Sequence, residues 1–359
     1  MKKTLLALAV LSAITSTVSA QSSVVIYGIA DGGLVHERGG AAGSVNKLTS
    51  GVQSGSRLGI RGKEDLGRGL SAVFTLETGI AIDTGGFNQG NLAFGRQSFV
   101  GLESRTFGSV TLGRQYTVPY LIVRDISDPF AVGFAGTALN LIPVAGSRMN
   151  NTLKYTSLDI SGFSGEIAYG FGEVPDNSDA SRAISGAVGY ANGPVKVRLG
   201  YHNVRNAADT GSARNTLLGA SWDFNVAKAH LGFGVNKGLG SSPYPVDPSG
   251  LLTTPAASPY GLPVGPGSDD TRDLLVGVTI PFGQTSILAS YIRKDDRSGL
   301  NNDAHQWALG LTYSLSKRTN FYTSYARISN DNTAAYTVGN GSENGSGDKG
   351  FNLGLRHSF

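Results

Sequence analysis

Hydrophobic residues in this chain recur at every second position. Val195-Lys196-Val197-Arg198-Leu199-Gly200-Tyr201-His202 shows it most clearly: Val, Val, Leu and Tyr fall on one face, Lys, Arg, Gly and His on the other. The same period runs through 166–171, 184–190 and 305–313. It also runs through Leu274-Leu275-Val276-Gly277-Val278-Thr279-Ile280, where only Leu275 breaks it. The pattern predicts strands with one apolar face and one small or polar face. Packing the small faces together in a sandwich would bury Gly, Ser, Thr and charged groups, many without partners. The apolar faces must meet lipid or a second sheet and the polar faces water, and lipid outside with water inside satisfies strand after strand.

Connections alternate in length. Short turns at 64–69, 104–108, 191–194 and 314–318 alternate with long polar loops near 79–93, 116–150, 172–182, 237–270 and 330–347. Seven of the 13 prolines lie between Ser241 and Asp270, and the others fall in loops or at strand ends such as Pro194 and Pro281, as a hydrogen-bonded ladder requires. Strands are predicted near 24–35, 53–63, 69–78, 94–103, 108–115, 151–157, 164–171, 183–190, 195–203, 214–223, 228–236, 271–280, 284–293, 303–314, 319–329 and 349–359. That makes 16, an even number of the size at which a barrel encloses an aqueous channel. The expected fold is all-β, a transmembrane antiparallel barrel, with no second domain.

Composition agrees. There are 51 Gly, 14 Tyr and 15 Phe but only 2 Met, and a wide barrel tolerates small lumen residues while aromatic girdles mark its membrane interfaces. Met1-Lys2-Lys3, the apolar run from Leu5 to Ile14 and the small-residue site Val18-Ser19-Ala20 read as a secretory signal peptide over 1–20, leaving the barrel as 21–359. Its loss takes Lys2 and Lys3, cutting basic residues from 30 to 28 against 26 acidic ones, a net charge of +2. That balance argues against nucleic acid as a partner. The chain has no cysteine, so disulfides cannot stabilise it in an oxidising compartment. No mature segment approaches the roughly 18–20 apolar residues of a spanning helix.

Five stretches in order resemble the general porins of Gram-negative bacteria, most of all the trimeric porins of β-proteobacteria: Ser23-Val24-Val25-Ile26-Tyr27-Gly28, Ser56-Arg57-Leu58-Gly59-Ile60-Arg61-Gly62, Gly95-Arg96-Gln97-Ser98-Phe99-Val100-Gly101-Leu102, Phe107-Gly108-Ser109-Val110-Thr111-Leu112-Gly113-Arg114-Gln115 and the terminal Gly354-Leu355-Arg356-His357-Ser358-Phe359. The resemblance implies a homotrimer in the outer membrane, exported through the periplasm and surrounded by outer-membrane lipids and lipopolysaccharide. It implies passive passage of ions and small hydrophilic solutes, and a third long loop, about Tyr116 to Asn150, tucked into the lumen. In similar porins acidic residues of that loop face an arginine ladder on the opposite wall. Carried over by motif, the ladder would be Arg57, Arg96, Arg148 and Arg114, and the acidic partners Asp125 and Asp128. The enterobacterial Pro-Glu-Phe-Gly-Gly element is replaced by Asp128-Pro129-Phe130.

Alternation independently puts Arg57, Gly59 and Arg61 on the face opposite Leu58 and Ile60, toward water. Arginine suits a ring of charge because it stays protonated at any relevant pH. A competing reading makes these ordinary lumen arginines, with Asp125 and Asp128 capping turns inside the loop. Wall arginines outnumber loop aspartates, so a weakly anion-preferring or nearly unselective channel is expected. His36, His202, His230, His305 and His357 are scattered without metal-ligand spacing, and no glycine pair sits where a phosphate loop would. No cofactor or metal is expected. An outer-membrane barrel enzyme would need a nucleophile and base together, and no such motif is present; a soluble β-sandwich adhesin fits poorly with alternation carried to a terminal Phe359.

Overall fold

The computed structural model describes residues 23–40, 43–239, 241 and 268–359. The signal peptide expected over 1–20, and most of the loop near 237–270, lie outside the described residues. The chain runs through β1 (Ser23–Gly40), β2 (Gly43–Ser50), β3 (Arg57–Gly67), β4 (Leu70–Ala81), β5 (Gly86–Phe87), β6 (Gln97–Ser104), β7 (Gly108–Tyr116), β8 (Arg148–Thr156) and β9 (Phe163–Gly170). It continues through β10 (Ala183–Asn192), β11 (Val195–Arg205), β12 (Ser212–Asp223), β13 (Lys228–Gly238), β14 (Asp270–Phe282), β15 (Thr285–Asp296), β16 (Ala304–Ser314), β17 (Thr319–Asn330) and β18 (Lys349–Ser358). All neighbours pair antiparallel, and β1 closes the ring on β18 from Ile29↔Ser358 to Arg38↔Lys349. Of the 18 strands, β2 and β3 share one stave and β5 is a two-residue flap on β4, which leaves a wall of 16.

Alternation sets the two faces as the sequence predicts. Leu199 and Trp307 are 47% and 44% exposed on the outside, toward lipid, while Gly200 and Ala308 on the same strands turn inward. The second expected strand, near 53–63, differs. Its stave already begins at Gly43 and is cut by 51–56, which leaves the wall because Asp31 holds it from within. The Asp31 carboxylate accepts from Ser54 N at 2.6 Å, its carbonyl from Gly51 N at 2.7 Å, and Ser56 Oγ accepts from Asp31 N at 3.0 Å. Val52 is thereby carried into the interior with no exposed surface.

The interior is not uniformly wet. The loop 117–147 folds inward and packs Ile122, Phe130, Leu141 and Ile142, all essentially unexposed, against the inner faces of β11–β18. Burial of side chains this size contributes about 1.5–3 kcal/mol each. Leu275, the break in the alternation, faces inward and belongs to this same core. Glycines make the seat. A Cβ at Gly200 would stand 2.5 Å from Ile122, one at Gly219 2.6 Å from Ile122 and Ser127, one at Gly277 2.8 Å from Pro129, and one at Gly310 2.7 Å from Phe130. Much of the glycine richness is thus a contact requirement.

Replacing Gly310 or Gly219 by Val should cost about 1–3 kcal/mol of overpacking, relieved by lifting the loop rather than opening the barrel. In planar bilayers single-channel conductance should rise, while valine at Gly299, where no atom lies near and the backbone is not left-handed, should leave it unchanged. Unaltered conductance in the Gly310 variant would show that the loop does not rest on this wall.

Candidate constriction site

Asp128 organises the loop. After the helix Val118–Ile122, opened by Pro119, and the wide turn Val123–Ser127, its carboxylate accepts from Phe130 N at 2.9 Å, Val132 N at 3.0 Å and Ala138 N at 2.9 Å. Ala131, Val132 and Phe134 hold left-handed backbones, unfavourable for residues with a Cβ, and these three bonds offset that strain. Burial pushes the Asp128 carboxyl up to about 6, against the pull of the N–H donors toward its charged form. The wall also ties the loop backbone down. His230 Nδ1 bonds Ile126 O at 2.8 Å, Ser324 Oγ accepts from Ala135 N at 3.1 Å, and Gln306 Nε2 donates to Gly136 O at 3.1 Å. Val52 O accepts from both Phe134 N and Gly341 N, so the inward fold of 51–56 also ties in the loop after β17.

The opposite side stays open. Arg57, Arg96 and Arg148, from β3, the approach to β6 and the start of β8, line one cavity of about 260 Å³ together with loop residues Tyr120 and Arg124. A second cavity, about 400 Å³, is lined by Arg57, Glu77, Tyr116, Arg124 and Lys154 among others. Arg57 and Arg124 border both, so the passage between the cavities runs between a wall guanidinium and a loop guanidinium.

Each cation is held in place. Arg96 Nε donates to Glu77 Oε1 at 2.6 Å and its Nη2 to Tyr116 OH at 2.9 Å, Tyr27 OH donates to Glu77 Oε2 at 2.9 Å, and Arg57 Nη1 lies 3.9 Å from Glu77. Tyr116 and Tyr120 stack at 5.1 Å; Arg148 and Arg124 each lie 4.9 Å from the centre of the Tyr116 ring. Arg124 forms a two-pronged pair with Asp125, at 2.6 and 2.9 Å. Burial lowers its affinity for the proton, but the Asp125 hydrogen bonds and charge outweigh that and hold it above the usual guanidinium range. Four guanidiniums thus meet two carboxylates, Glu77 and Asp125. Below them Glu166 is shared by Lys154 at 2.7 Å and Arg198 at 2.6 Å, again one carboxylate for two cations.

Two expected residues are placed elsewhere. Asp128 is only 3% exposed and faces the loop's own amides, not water. Arg114 pairs across from Ser98 on the face opposite to Gln115, which lines the second cavity; its Nε donates to Gly95 O at 2.8 Å and it also bonds Asn150. Alternation holds there: Ser109, Thr111 and Gln115 line the cavity while Arg114 shares the face of the outward Val110 and Leu112, so it is the placement carried over by motif that fails. Asp125 stays exposed beside Arg124. Arg124, Glu77, Tyr116 and Tyr120 were not singled out from sequence; Tyr116 ends β7, Tyr120 lies in the helix and Arg124 in the wide turn after it, so no single period links the three.

Asp128→Asn should therefore act on loop order: with one acceptor replaced by a donor, open-channel current noise should increase several-fold with little change in ion preference. Asp125→Asn should keep the current quiet and shift preference toward anions. The reverse pattern in single-channel records would contradict these placements.

A family profile described as Gram-negative porin matches residues 7–333. The chain is 34% identical to an outer membrane porin of Bordetella pertussis over 91% of this chain and 94% of the relative, and 33% identical to outer membrane porin protein 32 of Delftia acidovorans over the full length of both. Among solved structures, the anion-selective porin from Comamonas acidovorans superposes with a TM-score of 0.75 at 29% identity, covering 94% of this chain and 100% of that one.

Proposed function

Because this chain belongs to the Gram-negative porin family and forms a diffusion channel of the outer membrane, we propose that its constriction prefers anions, passing ions and small hydrophilic solutes passively. The observation that carries this is the surplus of two positive charges around the passage: Arg57, Arg96, Arg124 and Arg148 against Glu77 and Asp125. A mouth with fixed excess charge, walled by material of low dielectric, concentrates counter-ions and repels co-ions. One unit charge about 6 Å from a permeating ion is worth about 0.7 kcal/mol even at the dielectric of water, roughly a threefold change in local anion concentration. A two-charge surplus gives a moderate preference, not an exclusive filter. The anion-selective title of the Comamonas acidovorans structure supports the same sign. The homotrimer is likewise part of this reading, resting on resemblance to trimeric relatives, as is contact with lipopolysaccharide. Among the described residues, the charged groups of the passage are paired with one another and with the stacked tyrosines, which supports a channel reading.

The test is the reversal potential across a salt gradient in a planar bilayer. Wild type should read as anion-preferring, and Arg57→Gln or Arg148→Gln should move the potential toward cations. The double variant Arg96→Gln with Glu77→Gln removes one charge of each sign and should barely move it. A cation-preferring wild type, or a double variant that moves the potential as far as Arg57→Gln, would overturn the charge-surplus reading.

A further inference from the structure

Beside the passage, at the long-loop ends of β8 to β11, the inner wall keeps another hollow of about 290 Å³. That is close to the lower end of small-molecule sites, about 300–1,000 Å³. One side of it is apolar: Met149, Ala183 and Val204 are 4%, 6% and 2% exposed and form one small core cluster with Ala145. The hollow persists because the residues around it are small. A Cβ at Gly170 would stand 3.1 Å from the Met149 methyl and 3.3 Å from the Ala183 Cβ, so a single added carbon would press on both.

Two opposite charges border the hollow. Arg148 lines both it and the constriction cavity, so the two spaces share one guanidinium. That guanidinium lies over the Tyr116 ring, its buried Nε has no hydrogen-bond partner, and among the described residues no carboxylate pairs with it. Glu173 lines the hollow too, is exposed, and likewise forms no ion pair among the described residues. Strand register brings the two near each other. Thr152 faces Gly170, and Phe171 N donates to Asn151 O at 3.0 Å, so the antiparallel course carries Glu173 alongside Met149, one residue from Arg148. A cation and a carboxylate that are neighbours yet do not close on each other leave a gap with a positive side, a negative side and an apolar floor. A simple anion there is drawn by Arg148 and repelled by Glu173, and a simple cation the reverse. A molecule carrying both charges gains from both, through charge-assisted hydrogen bonds at each end.

We infer that the hollow between Arg148 and Glu173 is a binding site for small zwitterions, namely free α-amino acids with an aliphatic side chain. The carboxylate meets Arg148, the ammonium meets Glu173, and the aliphatic group lies on Met149, Ala183 and Val204. An occupant engages one cation of the passage and narrows the approach to it, so open-channel current falls while it is bound. That effect on current rests on the reading of Arg148 as part of the anion-preferring passage, whereas the choice of ligand rests on the charges and floor of the hollow.

The experiment uses the full-length mature protein in planar bilayers at constant chloride, with leucine, leucinamide and isocaproate as probes. Leucinamide lacks the carboxylate and isocaproate the ammonium, while all three share the same aliphatic group. Mean open-channel current is followed as each is added. Leucine should lower the current of wild type at concentrations at least tenfold below those at which either analogue does so. Glu173→Gln should remove the advantage of leucine over isocaproate. Ala183→Leu, which fills the floor without changing charge, should abolish the leucine effect and keep the wild-type reversal potential. Equal effects of the three probes on wild type, or an undiminished leucine advantage in either variant, would overturn the inference. Should Ala183→Leu fail to fold, Glu173→Gln still decides, because that side chain is exposed and the change is isosteric. The reversal potential keeps the two readings apart: a cation-preferring wild type that still favours leucine counts against the charge surplus alone, and an anion-preferring one that treats the three probes alike counts against this site alone.

Discussion

A peptide segment crossing hydrocarbon has no water to bond its N–H and C=O groups, so each must find a partner within the protein. A sheet meets that demand only when its last strand pairs with its first, and here ten register pairs between β1 and β18 close the ring. Everything else follows from the closure. Sixteen staves make a ring too wide for its own inward side chains to fill, so the interior must either flood or be packed by another part of the chain. This protein does both, on opposite sides. The loop 117–147 fills one side and the arginine-lined passage keeps the other.

The division is set by side-chain size on the wall. Glycines on β11, β12, β14 and β16 let the loop approach to van der Waals contact, and Ser324, His230 and Gln306 answer its backbone groups. A loop lying on that seat needs a stiff internal frame, which the buried Asp128 supplies by binding three amides at once. On the other side the wall carries long cations that would repel one another if left alone. Glu77 sits between Arg57 and Arg96, and the phenol of Tyr116 accepts from Arg96 while its ring face receives Arg148. Partial neutralisation holds these side chains still without cancelling their charge.

What the sequence revealed divides along the same line. Strand positions and the lipid-facing set rest on a two-residue period, and that period survives in the structure because lipid on one face penalises any slip. Arg57, Arg96 and Arg148, carried over by motif with alternation argued for Arg57 alone, come together around one cavity. The misplaced residues were carried over by motif. Arg114 shares the parity of the outward Val110 and Leu112, so the period alone puts it on the lipid side, and Asp128 turns inward because the loop's left-handed residues expose amides that a nearby carboxylate satisfies. Leu275 breaks the pattern because the loop, not water, covers its inner face. The inward fold at 51–56 was equally hidden: its Ser- and Gly-rich sequence reads as an ordinary strand edge, and its role depends on Asp31 from the neighbouring stave.

Arg124 shows why width and charge cannot be tuned separately in this channel. It is the one cation of the four that the loop carries, fixed by Asp125 beside it and by the stacked Tyr116 and Tyr120 beneath it. Because it borders both cavities opposite Arg57, any displacement of the loop moves a positive charge and a steric boundary together. A guanidinium tolerates this position better than an ammonium would: its flat face rests on an aromatic ring while its edge still points to water. Loop seat, aromatic stack and charge surplus therefore act as one mechanical unit, and the glycines on the far wall help set the electrostatics of a passage they never touch.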